Sequence, residues 1–503
     1  MNKKLVGIFL SYSLIVIDIV IGILLVPFLL KTLGDYEYGI YKLLISTASY
    51  LSVLDFGIGG TITRYVVKYN TENLHREKEN FVAMGLIIYG VLSAVVLCIA
   101  TVICTLIPNM YSASIKPEDM RHAQTIFMVL CSTTAVQLFN HAYHGLFAAH
   151  EKFIYTKSLE IIKVCLRITL IIIGLYLIKN ALIVAIVDLF LAVAVLICHI
   201  FFSNFAFNYK IKLHKWEWSI AKEAGVFTLA ILLQAIINQF NSNVDNVVLG
   251  MFTTATTIAI YSIALQLFTM YSNLSTAVST IFLPSISRTV FAGASNDEIT
   301  ESIIKPSRMQ LMVLLLALSG FILFGKDFIN IWVGEGYEMV YILACILLSA
   351  ATIELSQNTI TSVLKAKNKL HGKTIILLVS TICNAVITIL LVPKFSVYGA
   401  LSGTVFSLFF GYGLALNIYY HKKIGINMYT YYKKTYKGIL PAVLIAFILG
   451  IFIGKFIHSN SWIMFGVEAI TYCAIYAVIM YFIGADQEEK RYILKIIKRK
   501  SNI

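Results

Sequence analysis

Charged side chains are scarce in this sequence. Only 13% of its 503 residues are charged and 59% are hydrophobic, whereas a soluble domain is about a quarter charged and about half apolar. Long polar segments are missing too, since the segments between apolar runs reach only about twenty residues. The chain therefore has no room for a soluble catalytic domain, and its composition indicates an integral membrane protein.

The sequence also lacks the patterns that carry covalent or metal chemistry. Its eight cysteines are scattered singly through apolar segments, without metal-ligand spacing or a loop that a disulfide could close, so we interpret them as packing residues. A phosphate loop, an HExxH pair and a GxSxG turn are all missing. The sequence thus predicts no enzyme activity, no catalytic residue, no cofactor and no metal.

Apolar runs that could cross a bilayer recur along the whole chain. They predict an all-α integral membrane fold of about fourteen transmembrane helices. The expected limits are 7–32, 39–62, 81–107, 122–146, 159–178, 181–203, 225–250, 258–284, 309–330, 340–364, 374–393, 397–420, 438–457 and 461–483.

The basic residues are distributed unequally between the two sides of the membrane that this plan defines. The side with both termini collects 31 Lys and Arg in its loops and the adjoining helix ends, against 7 on the other side. Because basic loops stay in the cytoplasm, both termini are expected there. The net charge of +14 is then explained by the orientation of the chain in the membrane and by contact of its basic loops with anionic lipid. It does not indicate a nucleic-acid partner.

A weak internal repeat divides the helices into two sets. Three short matches recur in the same order at offsets of 218, 220 and 224 residues. A repeat of six helices predicts two parallel six-helix bundles. Many transporters with this arrangement open to alternate sides of the membrane by rocking one bundle against the other. The expected parts are an N-terminal lobe (1–203), a cytoplasmic linker (204–224), a C-terminal lobe (225–420), two further helices (421–483) and a basic cytoplasmic tail (484–503).

Three basic residues within or near the predicted spans are candidates for a cavity. An ionisable side chain inside a bilayer is costly, so it should face a cavity or a partner. Lys42 either lines a central cavity or extends its ammonium to the interface. Arg64 is a cavity cation or, more simply, an ordinary cytoplasmic anchor. Arg167 shares a helix face with Glu160 and Lys163, which predicts a salt-bridged strut or a phosphate contact at an inner gate.

The seventh predicted helix carries an unusual polar stripe. Gln234, Asn238, Asn241 and Asp245 recur at steps of four, three and four, and Gln239, Asn243 and Asn246 widen the stripe. So many amide and acid groups do not face lipid. We interpret the stripe as the lining of a sugar-binding cavity, with hydrogen bonding between helices as the alternative.

Asp18, Glu354 and His144 are candidates for coupling transport to an ion. Each is a titratable residue within a predicted span, and imidazole titrates near physiological pH. For His144 a polar packing contact is the alternative. Metal binding is not expected there, because too few ligands lie nearby in the sequence.

Four segments resemble the Wzx-type oligosaccharide flippases of the multidrug/oligosaccharidyl-lipid/polysaccharide (MOP) exporter superfamily. They read LGDYEYGIY at the corner that leads into the second predicted helix, LDFGIGGTITRYV at the end of that helix, NVDNVVLGMF in the seventh and AIYSIALQL in the eighth. The resemblance covers essentially the full length, and it implies two six-helix bundles around a solvated cavity. It also implies Lys42, Arg64 and Arg167 as the cations of that cavity, and a groove for the lipid tail formed by the last two helices.

The function implied by this resemblance is flipping of undecaprenyl-pyrophosphate-linked oligosaccharide across the bacterial cytoplasmic (inner) membrane, for O-antigen, capsule or exopolysaccharide synthesis. A polysaccharide polymerase and a chain-length regulator are the expected protein partners. The alternatives are a multidrug or cation antiporter of the same superfamily and, less favoured, a membrane polysaccharide polymerase. The short loops argue against the polymerase, and the two extra helices with the uncharged stripe argue against the antiporter.

Overall fold

The protein is built from α-helices, as the fold class predicts. The computed structural model describes residues 3–207, 211–216, 218–456 and 461–491, and within these ranges there is no β-strand. The long helices of the first half are α1 (Lys3–Ser49), α2 (Ile58–Thr71), α3 (His75–Met110), α4 (Met120–Ala149), α5 (Phe153–Leu177), α6 (Ala181–Ala206) and α7 (Trp218–Phe252).

The second half continues with ten helices. They are α8 (Ala255–Phe291), α9 (Asn296–Trp332), α10 (Glu338–Leu355), α11 (Ile360–Ala366), α12 (Leu370–Phe395), α13 (Val397–Phe406), α14 (Leu416–Tyr419), α15 (Met428–Tyr436), α16 (Ile439–Phe456) and α17 (Trp462–Ile479). Short 3₁₀ segments lie at Tyr50–Asp55 and Pro117–Asp119, and π-helical segments at Ser407–Ala415, Tyr420–Ile424 and Met480–Gly484.

Each of the fourteen predicted spans corresponds to one helix or to consecutive helical pieces. Among the described residues, nine helical segments are long and apolar enough to cross a membrane by themselves. Gly34 (φ 77°) breaks α1 at the expected polar corner between the first two spans, because glycine adopts this left-handed backbone without a steric penalty.

The second predicted span, 39–62, is not one continuous helix. It passes from α1 into the 3₁₀ segment and then through Phe56 (φ 52°) and Gly57 (φ 68°) before α2 begins. A bulky residue in the left-handed region is strained, so surrounding contacts must hold Phe56 there. Apolar length alone did not reveal this break.

The chain divides into two compact units. Unit 1 comprises Met1–Ser262 and Ala385–Ser402, and unit 2 comprises Ile263–Asn384 and Gly403–Ile503. In unit 2 the last two long helices, α16 and α17, pack against α9 through a core that includes Leu311, Ala446 and Tyr472. The lobe boundaries expected from the repeat stay a prediction, and parts of the predicted linker and tail lie outside the described residues.

Two helix ends that the predicted repeat pairs have the same local geometry. After α4, Glu151 has φ 53° and the Lys152 N–H donates to the Phe147 carbonyl at 2.9 Å; after α11, Asn368 has φ 52° and the Lys369 N–H donates to the Leu364 carbonyl at 2.9 Å. This is the six-residue closure of a Schellman-type helix end. The two ends are 217 residues apart, close to the offset of 218 residues, and the repeat stays a prediction.

Candidate functional site

Unit 1 contains a cavity of about 680 Å³ between α1, α4, α5 and α6. Ionic side chains occupy one wall of it. The charged residues that line the cavity are Lys157, Glu160, Lys163, Arg167 and Asp188. With three basic and two acidic groups, the lining carries a formal charge of +1.

Arg167 forms a two-point ion pair with Asp188 across α5 and α6. Its Nε donates to Asp188 Oδ1 at 2.5 Å and its Nη2 donates to Oδ2 at 3.0 Å. The Tyr41 hydroxyl also donates to Asp188 Oδ2, at 3.4 Å. This paired geometry is strong and directional, so Arg167 connects α5 to α6 and to α1.

The partners of Arg167 differ from the ones that helical spacing suggested. Glu160 accepts from Lys157 Nζ at 2.7 Å instead of forming a strut with Arg167. Spacing within one helix identifies neighbours on that helix, but it gives no information about a carboxylate supplied by the next one. Asp188 is visible in the sequence as an acid within a span, and only the fold shows what it binds.

The other two predicted cavity cations lie in different surroundings. Lys42 is half-buried, its Nζ is 5.4 Å from the centre of the Tyr38 ring, and it interacts electrostatically with Arg167. Arg64 is exposed on α2 and does not line the cavity described above. Of the three predicted cations, Arg167 lines this cavity, whereas Lys42 and Arg64 are not among its lining residues.

The break in the second span is held by a hydrogen-bonded cluster. The Tyr89 hydroxyl donates to Asp55 Oδ1 at 2.6 Å and accepts from the Gly59 N–H at 2.8 Å. His141 Nδ1 lies 3.3 Å from Asp55 Oδ2. These contacts from α3 and α4 satisfy polar groups that a broken helix exposes.

The polar stripe of α7 has two parts within unit 1. Asp245 is buried and accepts from the Tyr261 hydroxyl at 2.6 Å and from Thr388 Oγ1 at 3.2 Å. Asn246 donates to Ser46 Oγ at 3.0 Å. This part forms hydrogen bonds between helices, which was the alternative interpretation of the stripe.

The preceding turns of the stripe are more accessible. Gln234 Nε2 donates to Asn238 Oδ1 at 3.1 Å, Asn238 is exposed, and Gln234 and Asn241 are half-buried. The stripe therefore changes along α7 from accessible amides to a buried network. A sugar-binding role for the accessible part stays a prediction.

The three ion-coupling candidates are separate. The side chain of Asp18 lies outside the described residues. Glu354 is half-buried in unit 2, where it interacts electrostatically with Lys373. His144 is exposed in unit 1, and its ring centre lies 5.4 Å from that of His199.

His199 and Lys373 were absent from the sequence-based candidates. His199 is a lone imidazole in the apolar run of α6, so the rule that selected His144 would also have found it. Lys373 lies at the start of α12, where it was counted as an ordinary loop cation. Among the described residues no group of three His, Cys, Asp or Glu side chains is arranged to hold a metal.

The family profile described as "Polysaccharide biosynthesis protein" matches residues 5–290, more than half of the chain. The chain belongs to this family. No curated protein sequence matches it.

Solved structures extend the likeness to the rest of the fold. The lipid II flippase MurJ in an inward closed conformation is similar with a TM-score of 0.73 and 15% identity, over 95% of this chain and 98% of that one. An inward-facing multidrug-resistance MATE transporter of the MOP superfamily is similar with a TM-score of 0.64 and 14% identity, over 79% and 92%.

A third similar structure is an outward-facing multidrug-resistance MATE transporter of the MOP superfamily, with a TM-score of 0.56 and 13% identity over 82% and 94% of the two chains. At these identities the likeness shows the fold. The family match confirms the predicted polysaccharide-biosynthesis family, and the fold is the one that these flippase and MATE structures share. The chain is accordingly a multi-pass membrane protein with a transporter architecture.

Proposed function

We propose that this protein flips undecaprenyl-pyrophosphate-linked oligosaccharide repeat units from the cytoplasmic to the outer leaflet of a bacterial cytoplasmic membrane. The product would feed O-antigen, capsule or exopolysaccharide synthesis, alongside a polymerase and a chain-length regulator. Both termini would lie in the cytoplasm, as the basic loops indicate.

The cavity of unit 1 is the observation that carries this proposal. A lipid-linked pyrophosphate is anionic, and the cavity is lined by three basic groups and two carboxylates. One ion pair joins Arg167 to Asp188. A second pair joins Lys157 to Glu160. Lys163, half-buried on the same wall, supplies the charge in excess and is the residue we assign to the phosphate contact.

Lys42 and Arg167 have different roles in this proposal. Arg167 fixes the wall of the cavity through Asp188. Lys42, a second cation near enough to Arg167 for the two to repel each other, adds positive potential beside that wall. The accessible amides of α7, above all Asn238, are assigned to sugar hydroxyls. The lipid tail would run along α16 and α17, as the resemblance implies.

The sequence holds no motif for nucleotide hydrolysis, so the energy for alternating access would come from an ion gradient, the membrane potential or consumption of the product. A cation antiporter of the same superfamily would require an acidic cavity to attract its substrate. The excess of basic over acidic side chains on the cavity of unit 1 favours an anionic headgroup.

A leaflet assay in cells tests the proposal. In cells that lack this protein but retain the glycosyltransferases, lipid-linked repeat units should accumulate and be protected from a membrane-impermeant sugar-labelling reagent. The wild-type chain should relieve the protection. Lys163→Ala should slow the relief about tenfold, because a charge-assisted contact contributes about 1.5–3 kcal/mol.

Lys116→Ala is the matched control, since Lys116 is an exposed cation whose pair with Glu118 spans 4.0 Å at the surface. It should behave as wild type. Accumulated units that are already accessible to the reagent would indicate a polymerase instead. No accumulation at all would contradict a sugar-lipid substrate and favour the antiporter.

A further inference from the structure

A second cavity of about 240 Å³ lies between α4, α5 and α6 in unit 1. Only two of its ten lining residues, Leu159 and Val195, are apolar. The others are Gln137, Asn140, His141, His144, Thr156, Glu160, Lys163 and His199. Polar groups within membrane helices are costly and usually mark a binding site or a pathway.

Two buried atoms of this lining have no hydrogen-bond partner within the described structure. They are Asn140 Oδ1 and His199 Nε2, on side chains that are only 7% and 1% exposed. The remaining polar atoms of both residues are used. Asn140 Nδ2 donates to the Ala192 carbonyl at 3.1 Å, and His199 Nδ1 lies 3.2 Å from the Tyr155 hydroxyl. Leaving a buried polar atom unpaired costs about 1–3 kcal/mol, so a ligand that satisfies both atoms would be stabilised.

The chemistry of the two atoms restricts that ligand. A carboxamide oxygen only accepts, so Asn140 Oδ1 requires a hydrogen-bond donor. In a neutral imidazole the two nitrogens take opposite roles, so Nε2 donates if Tyr155 donates to Nδ1 and accepts otherwise. A hydroxyl group serves either case. A fully ionised phosphate has no proton for Asn140, and an alkyl chain satisfies neither atom.

The ionic groups of the lining indicate a neutral ligand. Glu160 and Lys163 are the charged residues of this lining. Glu160 is paired with Lys157 and Lys163 is assigned to the phosphate contact, so neither charge is left for a ligand in this cavity. Together with Gln137 they also line the larger cavity, so a group bound here can be covalently continuous with an anionic group beside Lys163. His141 and His144, which also line this cavity, are exposed.

We propose that this smaller cavity is a subsite for one neutral sugar residue of the lipid-linked oligosaccharide. Asn140 accepts from one sugar hydroxyl or N-acetyl N–H, and His199 exchanges a hydrogen bond with a second hydroxyl. The inference rests on the proposed flippase function, and it makes Asn140 and His199 determinants of sugar specificity.

Binding of free methyl glycosides to the purified full chain in lipid nanodiscs tests the subsite without requiring transport. The probes are methyl glycosides of neutral hexoses and N-acetylhexosamines, observed by saturation-transfer NMR. We expect at least one to bind with a millimolar Kd. His199→Phe, which keeps an aromatic ring among Phe147 and Tyr143, and Asn140→Leu should each weaken binding about tenfold.

Ser93→Ala is the matched control, because Ser93 is a buried residue whose hydroxyl donates to Ala135 at 2.8 Å outside the cavity. It should bind the glycoside as wild type. Gel filtration and thermal unfolding identify any variant that does not fold, and Thr156→Val then replaces it. If the cavity holds only water, no glycoside will bind, and this result would overturn the subsite. Unchanged binding in all cavity variants would overturn it as well.

The leaflet assay separates this inference from the function on which it rests. If wild type flips the substrate and the variants bind the glycoside as wild type does, the flippase function is supported and the subsite is rejected. Glycoside binding that depends on Asn140 and His199, in a chain that fails the leaflet assay, would support the subsite and contradict flipping.

Discussion

At the scale of single residues, the ion pair between Arg167 and Asp188 organises the larger cavity. Both side chains are partly shielded from solvent, at 31% and 20% exposed, and Tyr41 adds a third helix to the contact. Arg167 is then chiefly a residue that shapes the cavity wall, and Lys163 is the cation left to meet a substrate.

A double-mutant cycle measures this pairing. Arg167→Ala and Asp188→Ala should each destabilise the protein, because each leaves the other charge without its partner in the membrane region. The loss in free energy of unfolding of the double variant should be about 1–2 kcal/mol smaller than the sum of the losses of the two single variants. Denaturant titration in detergent micelles gives the three values, and strict additivity would contradict the pairing.

At the scale of elements, close backbone approaches position the broken second span. The Gly145 position in α4 lies against Gly59 in α2, such that a Cβ atom on Gly145 would be only 2.9 Å from the Gly59 carbonyl carbon. Thr63 Oγ1 donates to the Gly145 carbonyl at 2.9 Å. Small residues allow helices in membranes to approach in this way.

Gly145→Val should therefore abolish folding, because its side chain has no room against the backbone of Gly59. Gly90→Ala is the control, because a Cβ atom there would meet only Phe139 Cζ at 3.8 Å, an ordinary contact, and alanine favours helix by about 1 kcal/mol over glycine. Expression and gel-filtration profiles distinguish the two. A well-folded Gly145→Val protein would refute the close packing.

A second element-scale feature anchors the segment after α17 in unit 2. Arg308 on α9 donates to Glu489 at 2.9 and 3.1 Å, and to the carbonyls of Lys434, Lys437 and Gly484 at 2.9, 2.9 and 2.7 Å. Arg308 and Glu489 are only 5% and 8% exposed. The pair thus connects α9 to the regions that flank α15, α16 and α17.

Glu489→Gln should destabilise the protein by about 3 kcal/mol, since it removes one partner of a buried pair. The neighbouring Glu488→Gln is the control. Glu488 is 79% exposed and 3.8 Å from Lys305, and such surface pairs contribute under about 1 kcal/mol. Thermal unfolding in detergent compares them, and equal shifts for the two variants would disprove the anchoring role.

At the scale of the whole molecule, the resemblance of four short segments predicted the family, while apolar length and loop charge predicted the helical fold. They did so because the bilayer restricts spanning segments to a few regular forms. Three features could not be predicted from the sequence, since each depends on contacts between helices far apart in the chain. They are the pairing of Arg167 with Asp188, the break at Phe56 and the joint burial of His199 and Asn140. The helix α15, with Tyr431 buried and Tyr429 exposed, was likewise hidden in a basic loop.

The orientation in the membrane is a whole-molecule prediction that single cysteines can test. In a version without the eight native cysteines, Glu118→Cys should react with an impermeant maleimide in intact cells, and Glu72→Cys should react only after lysis. Both positions are exposed and lie on opposite sides by the distribution of Lys and Arg. The reverse pattern would invert the topology.

Flipping itself is tested most directly with purified components. The full chain is reconstituted into liposomes that carry a lipid-linked pyrophosphoryl oligosaccharide in both leaflets, and an impermeant enzyme that cleaves the sugar is added outside. With wild type, nearly all of the substrate should become cleavable. With Lys163→Ala, cleavage of the half that starts in the inner leaflet should be about tenfold slower. Persistent protection of that half with wild type would contradict the central claim.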